Sequence, residues 1–246
     1  MYPVLFRLAN IEVYAYGFLL AIAFVIGALG LAKGGRQIGL GEEKLVNFAI
    51  WVMVATIVGA RLFYVFLDFP RYLAQPLAFF NIRSGGLSFH GGLIAGAACG
   101  LWYTWRHNLP QGKVADLTAP WLALGYAIVR IGCFLNGCCF GRPSGLPWAL
   151  PSAYGDNTLR HPTQLYSLAA GLIIFIVLWW RRKKTHFNGQ LFLEFLFLYN
   201  VYRFILEFFR ETDLYSGFLT LGQAVSLVGA AAAFVAIYVW PLSRGK

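Results

Sequence analysis

Residues 130–142 run Arg-Ile-Gly-Cys-Phe-Leu-Asn-Gly-Cys-Cys-Phe-Gly-Arg. The stretch closes an apolar helix that carries a buried arginine, Arg130. It then breaks at Gly132, Asn136-Gly137 and Gly141 while staying apolar enough to sit within or near a membrane. Non-helical backbone at membrane depth persists only where protein or a wet cavity satisfies its polar groups. A charge and an irregular loop together at that depth mark a site, and not a span alone.

The surrounding chain fits that setting. Of its 246 residues, 59% are hydrophobic and 12% charged, against about half and about a quarter in soluble domains. The fold class is therefore an all-α integral membrane protein. Apolar runs of about 20 residues, enough to cross a bilayer, fall near 12–32, 46–67, 88–106, 118–135, 165–180, 190–209 and 219–241. That predicts about seven transmembrane helices, of which 118–135 and 165–180 are short or interrupted. No internal repeat is visible and no linker is long enough to separate a second domain, so residues 1–246 are expected to form a single membrane domain. The N-terminus lacks a basic region leading into a cleavable apolar core, and the first span is expected to target the chain. A net charge of +10 would hint at nucleic acid in a soluble protein. Here the basic residues lie mostly in short loops, and no RNA- or DNA-binding motif is present.

Those loops orient the chain. Outside the apolar runs, eleven Lys and Arg residues fall in the first, third and fifth loops and the C-terminus, the densest being Arg181 to Lys184. Six fall on the other side: Arg7, Arg71, Arg83, Arg142, Arg160 and Arg210. The richer side is cytoplasmic by the positive-inside rule, which puts the N-terminus out and the C-terminus in. Tyr16 and His90 then begin inward spans, while Arg61, Arg130 and Arg203 come late in outward ones. All five are expected in the outer half, as is the outer-side loop 133–164.

A charge at mid-membrane costs a few kcal/mol even on lenient scales, so these arginines need partners. Arg203, Glu207 and Arg210 stand at i, i+4 and i+7 on one helix face, where Arg203 and Glu207 can form a structural ion pair. Arg130 has no acid near it in sequence, and Arg61 has only Asp68 two turns on. Surplus guanidinium suits an external anion, since it binds phosphate or carboxylate through paired hydrogen bonds. Gly92, Gly96 and Gly100 recur every fourth residue, a packing stripe for another helix. His90 lies between glycine pairs, where an imidazole can reach a cavity and accept a proton. Pro162 suits a first helical turn, with Thr163 and Gln164 placed for free amides or a ligand. Cys99, Cys133, Cys138 and Cys139 are too few and too clustered for a disulfide scaffold. No histidine follows them at a zinc-site spacing, so no metal is expected.

Several ordered segments together resemble the bacterial prolipoprotein diacylglyceryl transferase family. They are Tyr16-Gly17, Gly59-Ala-Arg61-Leu-Phe-Tyr64, Gly85-Gly-Leu-Ser-Phe-His90-Gly-Gly-Leu93, Arg130-Ile-Gly132, Asn136-Gly137 and Gly141-Arg142. They continue with His161-Pro-Thr-Gln164-Leu-Tyr166, Arg203-Phe-Ile-Leu-Glu207-Phe-Phe-Arg210 and Gly222-Gln223. The resemblance implies a seven-helix inner-membrane enzyme with small outer-side arm and head elements and an active site toward the periplasmic half. It would move diacylglyceryl from phosphatidylglycerol to the lipobox cysteine of a preprolipoprotein, forming a thioether and releasing glycerol phosphate, without a cofactor. His90, Arg130 and Arg203 are the implied catalytic residues. Arg130, Tyr16, Arg61, Asn136, Gly141, Gln164, Glu207 and Arg210 are the implied substrate-binding set. Cys133 stands where the family pattern has an asparagine and Cys138 where it has a glutamate, which reads as a subfamily variant. Two other classes compete. A transporter of an anionic solute would need the arginines but would show repeated halves or paired broken helices. A thiol redox membrane protein would use Cys133 with Cys138 or Cys139, although no C-x-x-C is present.

Overall fold

The computed structural model describes residues 2–8, 11–80, 85–151, 158–211 and 218–243. Arg83 and Ser84, and the C-terminal Arg244 and Lys246 of the basic-residue balance, lie outside them, as does part of the predicted loop. The helices are α1 (Ala15–Gln37), α2 (Glu42–Leu67), α3 (Phe69–Ala74), α4 (Phe89–Arg106), α5 (Gln111–Leu135), α6 (Thr163–Arg181), α7 (Gln190–Glu207) and α8 (Leu221–Ser243). Strands β1 (Val4–Leu8) and β2 (Ile11–Tyr14) pair antiparallel before α1, and β3 (Leu150–Pro151) pairs with β4 (Leu159–Arg160) between α5 and α6.

Five helices, α1, α2, α5, α6 and α8, are long and apolar enough to cross a membrane. Helices α4 and α7 coincide with the predicted runs 88–106 and 190–209, but glycine dilutes α4, and α7 carries Glu194, Arg203 and Glu207. Each has 18 residues, about 27 Å at about 1.5 Å per residue, close to a hydrocarbon core of about 30 Å. Two boundaries are corrected. The run predicted at 118–135 is a continuous helix that begins at Gln111. Residues 12–14 belong to β2, where Ile-Glu-Val-Tyr pairs with β1 and Glu12 meets Arg7 at 2.8 Å.

The distribution of side chains is that of a protein in lipid. Phe66 is 74%, Trp105 70% and Val228 69% exposed, while Gln164, Thr163 and Ser167 are among the most deeply buried side chains. Lipid tails are as apolar as leucine, so helices gain little by hiding leucine from them. They associate through small residues and internal hydrogen bonds instead.

Two compact units make up the chain: Met1–Gly30 with Ala115–Lys246, and Leu31–Val114. In the second unit, α2 packs on α4 along the glycine stripe read from the sequence. Gly92 and Gly96 face Thr56, and Gly100 faces Phe48 and Val52. A tight backbone approach lies one residue off that stripe. A Cβ on Gly91 would sit 2.3 Å from Phe63 Cβ and 2.5 Å from the Gly59 carbonyl oxygen. The Arg61 guanidinium, buried at 4% exposure, donates to the carbonyls of Ala78 (2.6 Å), Phe79 (2.9 Å), Gly85 (2.8 Å) and Gly86 (2.9 Å). Gly85 and Gly86 take φ of 88° and 84°, a left-handed conformation that glycine adopts without penalty. It lets the chain present both carbonyls to one arginine.

In the first unit, the Trp121 ring of α5 lies directly over Gly30 of α1. Gly171 of α6 meets Ala123 and Ala127 of α5. Ala119, Ala123, Ile174, Leu178 and Leu191 form its apolar core, with Phe195, Leu198 and Tyr202 of α7 packed on them. Helix ends are closed from within. Asp116 accepts from the Gly189 (2.7 Å) and Phe192 (3.0 Å) amides at the start of α7. Thr220 and Gln223 bond each other's backbone N–H at the start of α8, at 3.1 and 3.0 Å, a capping box.

These contacts predict a contrast within one helix. Gly91→Ala forces α2 and α4 apart and should cost about 1–3 kcal/mol. At Gly100 a Cβ would meet its nearest neighbour at 3.5 Å, an ordinary contact, so Gly100→Ala should be neutral. Thermal unfolding of both variants in detergent checks this.

Candidate active site

In the first unit, α5 does not fray at its end; it folds back. The Cys138 amide donates to the Cys133 carbonyl (3.1 Å), the Gly137 amide to the Phe134 carbonyl (3.1 Å), and Gly137 takes φ 72°. This is a Schellman motif, with Asn136 as the helix-capping residue. It is why Asn136-Gly137 interrupts an otherwise apolar run. The motif sets Cys138 and Cys139 beside the last turn of α5. Cys139 is itself left-handed, with φ 68°.

The residues that follow are stitched to two other elements. Gly141 donates to the His161 carbonyl (2.9 Å), His161 to the Arg142 carbonyl (3.1 Å) and Ser144 to the Leu159 carbonyl (2.9 Å). The Arg142 amide reaches the Phe209 carbonyl at the end of α7 (2.9 Å). From the start of α6, Gln164 Nε2 donates to the Cys138 carbonyl and Thr163 Oγ1 to the Cys139 carbonyl, each at 2.5 Å. Backbone that could not face lipid is thereby satisfied from inside. Gly141 has no room for a side chain, since a Cβ there would come 2.1 Å from the Phe209 carbonyl oxygen.

The predicted site residues of this unit gather around that loop. Arg130 holds its guanidinium over the Tyr126 ring, 4.6 Å from the centroid, and its Nη1 is 3.9 Å from Cys133 Sγ. Its Nε is buried without a hydrogen bond, and among the described residues no carboxylate pairs with it. Tyr16 of α1 packs its backbone against Gly132 and lies within electrostatic reach of Arg130. Arg203 forms an ion pair with Glu207, which is 4% exposed, and Gly222 of α8 leaves room for that carboxylate. Tyr199 lies within electrostatic reach of Arg130, Arg203 and Arg210 together, so three guanidiniums share one neighbourhood. Arg130 of α5 is also linked across the unit. The Tyr126 hydroxyl meets that of Tyr202 at 3.0 Å, and Tyr202 donates to Ser167 Oγ of α6 at 2.5 Å.

An apolar cavity of about 390 Å³ opens beside this group. Leu146, Trp148 and Tyr166 line one side, and Tyr202, Ile205, Leu206 and Phe209 the other. Helix α7 thus presents the charges of Arg203 and Glu207 and an apolar wall from adjacent positions.

The remaining sequence-predicted residues fall into three cases. Asn136 is exposed and supplies the helix cap. Gln164 is 1% exposed, and its amide nitrogen is committed to the loop carbonyl. Arg61 and His90 belong to the second unit. Arg61 is engaged with backbone carbonyls as described, and Asp68 pairs at 3.7 Å with Arg71 instead. His90 is exposed in the first turn of α4 beside Phe89. Sequence reasoning passed over Arg160, which pairs with Glu211 and donates to the Gly141 carbonyl at 3.3 Å. It also passed over the link from His161 Nδ1 to the Tyr166 hydroxyl (3.1 Å), which accepts from Trp148 Nε1 (2.8 Å). His161 and Tyr166 stand 5 positions apart and the other partners 18 to 51, distances over which no local spacing announces them.

Comparison with known proteins places this architecture. Residues 3–240 match the family model for prolipoprotein diacylglyceryl transferase. The chain belongs to that family. It is 38% identical over 233 residues to the phosphatidylglycerol–prolipoprotein diacylglyceryl transferase of Bordetella bronchiseptica, covering 91% of this chain and 87% of that protein. The protein of the same name from Clostridioides difficile is 35% identical over 233 residues, with 95% and 93% covered. That from Vibrio vulnificus is 32% identical over 254 residues, with 99% and 92% covered.

Two outcomes are expected of the loop. Gly141→Ala displaces the backbone beside Arg142 and His161, and a misplacement of about 1 Å is expected to lower activity about 100-fold. Gly145→Ala, with open space around its Cβ position, should leave activity intact. The second outcome concerns pH. Burial, and then the Arg142 guanidinium, hold the His161 imidazole below its usual value. The folded state therefore favours neutral His161. That contribution to stability is complete above the unfolded value of about 6.5 and is lost as pH falls through the lower folded value. Melting temperature should drop from pH 7.5 to 5 more steeply in the wild type than in His161→Gln.

Proposed function

We propose that this protein transfers the diacylglyceryl group of phosphatidylglycerol to a cysteine thiol of a prolipoprotein, the lipobox cysteine, releasing glycerol phosphate. The proposal includes about seven spans, N-terminus out and C-terminus in, in the inner membrane of a bacterium, with the site toward the periplasmic half. Family membership and the names of the relatives support the reaction class. The observation that carries the chemistry is Arg130, a half-buried guanidinium without an acidic partner among the described residues, linked through Tyr126 and Tyr202 to the wall of an apolar cavity. An anionic headgroup attached to acyl chains has the matching polarity.

In the reaction the thiolate is the nucleophile. Its sulfur attacks the diacylglyceryl carbon that bears the phosphate ester, the C–S bond forms as the C–O bond breaks, and glycerol phosphate leaves as an anion. Moving a proton from an unperturbed thiol to an unperturbed imidazole is uphill by about 2 units, roughly 2.7 kcal/mol. Nearby guanidinium charge lowers that cost by favouring the thiolate. His90 is assigned the proton. Arg130 and Arg203 are assigned the phosphate oxygens, where charge develops as the bond breaks. Glu207 orients Arg203, Arg210 adds positive potential, and Tyr16, Asn136 and Gly141 shape the loop around the headgroup. Gln164 and Arg61 act by holding loop backbone.

The decisive test is mass spectrometry of a lipobox peptide after incubation with the purified protein and phosphatidylglycerol. A diacylglyceryl mass on its cysteine is expected, and it should disappear with His90→Asn. Retention of full transfer by that variant removes His90 from the mechanism. The ion pair can be separated from the chemistry. Glu207→Leu alone leaves Arg203 unpaired and should cost about 3 kcal/mol. Arg203→Met with Glu207→Leu should restore melting temperature and still transfer nothing. A stable, active double variant would make the pair purely structural.

A further inference from the structure

Cys133, Cys138 and Cys139 are free thiols whose sulfur atoms all lie within 4.8 Å of one another, and those of Cys138 and Cys139 are 3.5 Å apart. Their spacing in sequence matches no zinc pattern. The Schellman turn brings them together, and Gln164 and Thr163 then hold the backbone of Cys138 and Cys139 from α6. Three sulfurs around one ion at about 2.3 Å stand about 3.8–4.0 Å apart, so small side-chain rotations close the observed triangle. Arg130 supplies an independent indication. Its Nη1 is 3.9 Å from Cys133 Sγ and its Nε is buried without a hydrogen bond. A metal ion displaces the thiol protons, which leaves three thiolates with a net charge of −2 around Cu(I) or −1 around Zn(II). A guanidinium with no carboxylate partner is the counter-charge that such a cluster requires.

We propose that Cys133, Cys138 and Cys139 form a three-sulfur site for one thiophilic d10 ion, Cu(I) or Zn(II). Soft thiolates favour these ions over magnesium or calcium. Cu(I) is satisfied by three sulfurs, while Zn(II) takes a water as its fourth ligand. A filled site draws Arg130 toward the thiolates. If the transferase reading above holds, the ion then lowers transfer by occupying the guanidinium that receives the phosphate.

Binding is tested without lipid, on full-length protein purified anaerobically in detergent, by competition of Cu(I) against bicinchoninate and of Zn(II) against a chromophoric chelator. One equivalent is expected. X-ray absorption should show three sulfurs at about 2.2–2.3 Å, alone for copper and with one oxygen for zinc. Cys133→Ser, Cys138→Ser and Cys139→Ser should each abolish stoichiometric binding, and Cys99→Ser should leave it unchanged. Binding of both ions no tighter than by the triple serine variant overturns the site. So does a metal shell of nitrogen and oxygen only, or a disulfide from Cys133 to Cys138 or Cys139 in the anaerobic protein. In a transfer assay, metal should inhibit the wild type reversibly by chelator and spare the triple variant. Unchanged transfer by metal-loaded wild type overturns the coupling to Arg130, whereas no transfer with or without metal counts against the transferase reading and leaves the binding result standing.

Discussion

Hydrocarbon offers no hydrogen-bond partner, and the placement of polar atoms in this protein answers to that constraint. Arg61 is tied to four backbone carbonyls. Glu194 takes Arg181 in a two-pronged pair at 2.6 and 2.7 Å. Glu207 takes Arg203, and Asp116 and the Thr220–Gln223 box close helix ends. Among the described residues Arg130 has neither a carbonyl nor a carboxylate partner. It rests on an aromatic ring and a thiol, with one donor unsatisfied. Both proposals above rest on a charge left in that state, one for a lipid phosphate and the other for the thiolates beside it.

The irregular segment after α5 follows from the same constraint. A helix end leaves carbonyls without partners, and the Schellman turn answers two of them locally. The remaining backbone of residues 138–144 is answered by elements distant in sequence: the start of α6, the strand at Leu159–Arg160 and the end of α7. A segment tied at so many points is rigid, which is what a site needs if it is to hold one geometry while substrates change. It also explains why glycine at 141 is required for more than flexibility. Two backbones pass there at a distance that admits no side chain.

Much of the fold was legible in the sequence because lipid immersion simplifies the code. Long apolar runs located the helices, the four-residue glycine spacing located the α2–α4 contact, and the i, i+4 spacing located the Arg203–Glu207 pair. Where β-branched and aromatic residues precede a span, hydropathy does not separate strand from helix, so residues 12–14 were assigned to the first span. Where glycine or charge dilutes a helix, as in α4 and α7, hydropathy grades the span less firmly than its length does. The site was read less completely. What no spacing shows is where the donors of Arg61 and Gln164 go, which is to backbone carbonyls. No histidine follows the three cysteines at a zinc-site spacing, and only the turn after α5 brings their sulfurs within 4.8 Å of one another.

The sequence by itself determined that this is a helical membrane protein, where most helices lie, and which few residues are too polar for lipid. Those properties depend on composition and on spacings of seven residues or fewer, and a bilayer reads them directly. Only the tertiary structure decided what each polar residue does. A guanidinium becomes a structural tie, a member of an ion pair or a charge without an acidic partner according to whether a carbonyl, a carboxylate or neither arrives beside it. That arrival is set by helices separated by tens of residues, through contacts with no local signature.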